Sequence, residues 1–156
     1  MAGSVDERFL DDFTVGDVFT TTGYTFTEAD IIDFALRFDP QPFHLDTLAA
    51  ARSPYGGLIA SGFHTIAICF RLFIQRGLLT ACSIGSPGMD EVRWLAPVRP
   101  GDTLYTRVEV LAVRPSRSKP DRGILEARYA AINQHGETVL TFLALHLLSR
   151  RGGAGQ

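Results

Sequence analysis

Two side chains able to exchange protons, Asp39 and His44, stand five positions apart in the stretch Arg37-Phe38-Asp39-Pro40-Gln41-Pro42-Phe43-His44. The residue before a proline is driven out of helical geometry toward extended backbone, and both Asp39 and Gln41 precede one. The segment is therefore stiff, and it ends any helix that arrives from upstream. A carboxylate and an imidazole on a stiff, irregular loop suit positioned acid–base chemistry. The plainer reading is a helix-ending loop with a capping Asp and a solvent-facing His. Fully extended, five residues reach about 17 Å, so the loop must fold back if the two side chains are to share one site.

The run Asp39-Pro40-Gln41-Pro42-Phe43-His44-Leu45-Asp46 resembles the Asp-x-Asn-Pro-x-His signature of the MaoC-like dehydratases, a family that includes the (R)-specific enoyl-CoA hydratases. Gln41 stands where that family usually has Asn, and Phe38 where a small Gly is common. Gly57-Leu58-Ile59-Ala60-Ser61-Gly62-Phe63 is similar to the family's glycine-containing entry into its central helix. The resemblance implies a hotdog fold that hydrates or dehydrates acyl-CoA thioesters, with Asp39 and His44 as the catalytic pair. Hydration needs a water to attack the β-carbon while a proton reaches the α-carbon, and such a pair supplies both transfers. The resemblance also assigns the Gly62 backbone N–H, at a helix start, to the thioester oxyanion. Its alternative role is a helix-entry glycine needed only for close packing. Ser61 fits either an N-cap or a lining hydroxyl. Phe43, His64 and Arg93 are further substrate-lining candidates, though His64 also reads as a satisfied, partly buried histidine, and Arg93 and Trp94 either line a groove or serve a dimer contact. Acyl-CoA or an acyl carrier protein thioester is the implied partner, with no metal or redox cofactor. The implied assembly is a homodimer or a dimer of dimers, with the substrate groove at the subunit interface.

The elements that must hold this loop are legible on either side of it. Thr27-Glu28-Ala29-Asp30 fits the Ser/Thr-x-x-Asp/Glu capping signal, and Ile31, Phe34, Ala35 and Phe38 follow at helical spacing. A helix over about 28–38 therefore leads into Asp39. Residues 61–76 hold Phe63, Ile66, Ile68, Cys69, Phe70, Leu72, Phe73 and Ile74 without one Asp or Glu. A helix apolar nearly all round is a buried helix, so something must wrap it. Strands are expected over 19–26, 89–98, 103–114, 124–133 and 138–149, with Leu104, Thr106, Val108 and Val110 sharing one face and the last strand apolar on both. One long apolar helix followed by antiparallel strands makes an α+β domain, a curved antiparallel sheet around a central helix. The expected organisation is a polar arm over 1–12, the domain over 13–150 and a flexible tail over 151–156.

Composition removes several function classes. With 156 residues the chain is one domain's worth, and a formal net charge of −2 offers no general attraction to nucleic acid or anionic lipid. The acidic, polar N-terminus is no signal peptide, and no apolar run reaches membrane-spanning length. Cys69, inside an apolar run, reads as a small core residue, and such a thiol favours a reducing, cytoplasmic setting. The histidines His44, His64, His135 and His146 form no metal-ligand spacing with Cys69 and Cys82. The basic loop Arg114, Arg117, Lys119 and Arg122 either meets coenzyme A phosphates or is a solvated hairpin. Two other functions stay in view. One is a hotdog thioesterase, which the lack of an acid over 61–76 disfavours. The other is an acyl-CoA-binding domain that kept the fold without catalysis.

Overall fold

A computed structural model describes residues 7–152. Its helices are α1 (Glu28–Phe38), α2 (Pro42–Leu45), α3 (Thr47–Arg52) and α4 (Gly62–Ile74), and its strands are β1 (Val18–Thr20), β2 (Tyr24–Thr25), β3 (Ser83–Trp94), β4 (Thr103–Pro115), β5 (Arg122–Ile132) and β6 (Thr138–Ser149). The strands form an antiparallel sheet in the order β1-β4-β5-β6-β3, with β2 also pairing with β4. This is the expected α+β arrangement, a hotdog in which the long helix lies against an open, curved antiparallel sheet. On β4 the expected face, Leu104, Thr106, Val108 and Val110, points inward and is buried. Thr106 is polar for a reason: its hydroxyl donates to the Cys69 carbonyl at 2.7 Å and hooks α4 to the sheet. Burial pushes the Cys69 thiol up to about 12 and the Cys82 thiol up to about 11.

Three expectations need correction. First, α4 is not buried all round. His64, Thr65, Ile68, Cys69, Leu72 and Phe73 face the interior, while Phe63, Ala67, Arg71 and Ile74 form an exposed stripe, with Phe63 64% exposed. One sheet covers one side of a cylinder, and the opposite side needs another body. Second, β3 begins at Ser83 rather than 89. The Ser83-Ile84-Gly85-Ser86-Pro87-Gly88 segment reads as a loop, yet it pairs with β6 through register shifts at Ser83/Gly85 and Gly85/Gly88. Proline and glycine are tolerated because β3 is an edge strand with bulges. Third, the polar arm is shorter than 1–12. Leu10 is fully buried in a 3-10 turn over Leu10–Asp12, and a Cβ on Gly123 would collide with its side chain. At the other end Arg150 and Arg151 pair with Asp11 and Asp12, so position 151 belongs to the domain. Residues 1–6 and 153–156 of the arm and tail lie outside the described residues.

The start of α4 is held by the end of β3. Between Asp90 and Arg93 the β3 register shifts again, and Glu91 takes a φ of 52°, a left-handed conformation that costs a non-glycine residue about 1–2 kcal/mol. The bulge delivers Trp94 onto Gly62. The indole N–H donates to the Gly62 carbonyl at 3.0 Å, and a Cβ on Gly62 would stand 2.5 Å from the ring. Gly62→Ala should therefore destabilise the fold by about 1–3 kcal/mol through overpacking. Combining it with Trp94→Ala should recover much of that loss, measured as a double-mutant cycle in urea.

A second outcome concerns the core. His146 is 2% exposed and its Nε2 lies 2.8 Å from the Tyr129 hydroxyl. Burial pushes the imidazole down to about 4 from an ordinary 6.5. Between those values the unfolded chain binds a proton that the folded chain refuses. Stability present above pH 6.5 is therefore lost as pH falls toward 4, by about 3 kcal/mol for this group. Burial lowers His64 as well, which adds loss of the same sign. Urea melts at pH 7 and pH 4.5 should show the acid loss in the wild type and a smaller one in His146→Phe.

Candidate active site

The proline-bound loop folds back on itself. Asp39 closes α1, its N–H bonded to the Ala35 carbonyl at 2.9 Å. Proline at the first position then starts α2, one turn that carries His44. Asp46 caps α3 by accepting from the Leu48 and Ala49 N–H groups. The result is that His44 Nε2 lies 3.3 Å from Asp39 Oδ2. The imidazole is not solvent-facing: it is 4% exposed, and its Nδ1 lies 2.7 Å from the Ile59 carbonyl. A carbonyl can only accept, so Nδ1 carries a proton, and Nε2 is the ring atom that faces Asp39. The pair therefore sits on a buried turn as much as on a loop, because the 58–60 segment closes over it. The Ile59 N–H donates in return to the Phe43 carbonyl.

Asp39 is surrounded by donors. Ser61 Oγ donates to Oδ2 and Gln41 Nε2 to Oδ1, each at 2.6 Å. Burial pulls the carboxyl up, but these bonds and the neighbouring His44 outweigh it and leave it below its ordinary value. Gln41, which stands where Asn is usual, thus supplies a hydrogen bond to the carboxylate. Ser61 takes the capping role rather than the lining one. It caps α4 by accepting from the Phe63 N–H at 3.3 Å, and the same oxygen donates to Asp39. It is fully buried and does not line the cavity.

That cavity is about 520 Å³ and includes Asp39, Gln41, Phe43, His44, Gly62 and Trp94 in its wall. Phe43 is part of this wall. His64 does not: it is buried between Phe34, stacked at 4.6 Å, and the edge of Phe26. Nor does Arg93 line it. Its guanidinium turns to the Val92 carbonyl, and the neighbouring Trp94 takes the place in the wall. The basic loop is paired or distant, with Arg114 on Glu126 and Arg122 on Asp121. It also lies beyond the far end of β4 from Val98, roughly 40 Å along the strand. Sequence reasoning gives Trp94, with Arg93, as a groove-lining or dimer-contact residue; it misses Tyr55 and Thr65, to which no sequence signal points.

Among the described residues no group of three or more His, Cys, Asp or Glu side chains is placed to hold a metal ion, and no helix is long and apolar enough to cross a membrane. Comparison with known proteins places the chain. An uncharacterised protein of Bacillus subtilis, YdeM, is 40% identical over 80% of this chain and 87% of its own length. The 3-hydroxybutyryl-CoA dehydratase of Methylorubrum extorquens is 31% identical over 60% of this chain and 58% of that protein. The mesaconyl-CoA hydratase of Cereibacter sphaeroides is 33% identical over 46% of this chain but only 21% of that protein. A crystal structure of a MaoC-like dehydratase from Rhodospirillum rubrum superposes with a TM-score of 0.85 and 44% identity, covering 92% of this chain and 98% of that one. The model of the MaoC-like domain matches residues 12–132. The chain belongs to the MaoC-like dehydratase family.

Proposed function

We propose that this chain interconverts 2-enoyl and 3-hydroxyacyl thioesters, with coenzyme A or an acyl carrier protein as the carrier. The observation that carries the reading is the Asp39–His44 approach of 3.3 Å in the wall of a cavity that also holds Gly62. One water in the cavity beside the Asp39–His44 contact is within reach of both Asp39 Oδ2 and His44 Nε2, with a lone pair free to meet the β-carbon. As that oxygen bonds to the β-carbon, the pair takes one of its protons and the α-carbon receives one. The pair thus ends in the protonation state it began in. Asp39, kept charged by Ser61 and Gln41, orients the water, and His44 Nε2 is the second proton-transfer atom beside it. Negative charge builds on the thioester oxygen during attack, and the Gly62 N–H, the first of the thirteen-residue α4, lies where the helix dipole stabilises it. The relatives named for 3-hydroxybutyryl-CoA dehydration and mesaconyl-CoA hydration support this chemistry. A thioesterase reading is not favoured, since α4 offers no carboxylate.

The second copy expected of this fold has a surface to cover. β3 pairs only with β6 and leaves its other edge free among the described residues. Ile84 is 46% and Met89 40% exposed on it, and α4 has an uncovered stripe of its own. An apolar edge strand left open invites aggregation, and a homodimer closed over this edge removes it. Sedimentation at micromolar concentration should show a dimer, and Met89→Glu should shift it toward monomer.

Hydration of crotonyl-CoA, followed by loss of the enoyl-thioester absorbance, tests the reaction. Asp39→Asn and His44→Gln should each lower kcat by roughly 10²–10⁴-fold, the weight of general acid–base catalysis. The double variant should lose little more than either single one, since the pair acts as a unit. His44→Gln is preferred to His44→Ala because the ring is buried, and truncation would leave a cavity. Full activity in either variant would dismiss the mechanism. Binding without turnover of any enoyl thioester would mark a binding domain instead.

A further inference from the structure

The wall of the cavity says what kind of acyl group it can take. Its apolar part includes Phe43, Ile59, Phe63, Trp94, Leu95 and Val98, and no Lys or Arg lines it. The one acidic group in the wall is Asp39, whose carboxylate repels a second anion. Four of the side-chain donors in the wall are already engaged, and the Tyr55 hydroxyl adds a neutral donor but no cation. Gln41 Nε2 is on Asp39, His44 Nδ1 on the Ile59 carbonyl, and Thr65 Oγ1 and Trp94 Nε1 both on the Gly62 carbonyl. Arg99, which follows Val98 in the chain, turns its guanidinium to the Tyr55 carbonyl at 2.5 Å rather than into the cavity. Arg93 is likewise turned to the Val92 carbonyl. A carboxylate carried into this space would lose its hydration and gain neither a cation nor a free side-chain donor of the four named. Burying an ion without such compensation is strongly unfavourable.

Resting on the hydratase reading above, we propose that the site is selective for thioesters of uncharged, apolar acyl groups and excludes acyl groups that bear a carboxylate. This divides the family by charge, because the mesaconyl group of the relative from Cereibacter sphaeroides carries a carboxylate and the 3-hydroxybutyryl group does not.

Butyryl-CoA and succinyl-CoA share a carrier and a four-carbon chain and differ in a terminal methyl against a carboxylate. Neither can be hydrated, so titration calorimetry with the full-length protein reads binding without turnover. Butyryl-CoA should bind on the order of 100-fold more tightly. A preference under tenfold, or one for succinyl-CoA, overturns the proposal, and it would be the result if a second copy brought a cation into the cavity. Leu95→Arg, at a lining position that is 59% exposed and so tolerant of the change, should raise succinyl-CoA affinity about tenfold. No gain there, with succinyl-CoA already bound well by the wild type, counts against the charge argument again. Crotonyl-CoA turnover is measured alongside. If it is absent while the butyryl preference holds, the hydratase reading falls and the charge selectivity stands. If turnover is present and succinyl-CoA binds equally well, the charge selectivity falls alone. Failure of both thioesters to bind overturns both.

Discussion

The site depends on one hydrogen bond, from Ser61 Oγ to Asp39 Oδ2 at 2.6 Å. It joins the C-terminal end of α1 to the N-terminal end of α4 across 22 residues of chain. The same oxygen accepts the Phe63 N–H, so the helix start and the carboxylate are referred to a single buried atom. Everything between them, the two proline turns and the short α2 and α3, is packed into the space that this bond defines. A neutral donor also does what a cation would do less selectively: it favours the ionised carboxyl without adding a charge to the cavity.

Around that bond the polar groups are arranged so that each has one task. The Ile59 carbonyl chooses the His44 tautomer, Gln41 holds the other oxygen of Asp39, and Trp94 and Thr65 both hold the Gly62 carbonyl. Away from the site the molecule is less economical. His64 keeps a buried Nδ1 with no hydrogen-bond partner, a cost accepted for its stack on Phe34, which packs α4 against α1. The left-handed Glu91 is a similar cost, and it sets the bulge that carries Trp94 to the helix start.

Most of the architecture was readable in the chain because it rests on local rules. Thr27 caps α1, with the Asp30 N–H on its hydroxyl, as the cap signal requires. The alternation of Leu104, Thr106, Val108 and Val110 named the inner face of β4. The burial of His44 was not readable, because a carbonyl fifteen residues away closes over it. Trp94 was readable as a groove or dimer-contact residue, but its seat on Gly62 was not, because that depends on a bulge that no residue pattern announces. The start of β3 was hidden by Gly85, Pro87 and Gly88, whose turn signals are overridden once β6 supplies a partner. Leu10 looked like part of a polar arm because a lone buried leucine has no periodicity.

The hook between Thr106 and Cys69 has a use beyond packing. Cys69 and Cys82 are both buried, at 0% and 1% exposure, and their thiols are held far above the pH at which a thiolate forms. Neither sulfur can react with an alkylating reagent while α4 and the 79–83 segment stay seated. The chain therefore carries two native clocks for local opening. The rate at which Cys69 is labelled times the departure of the helix from the sheet, and the Cys82 rate times the release of the strand that follows it.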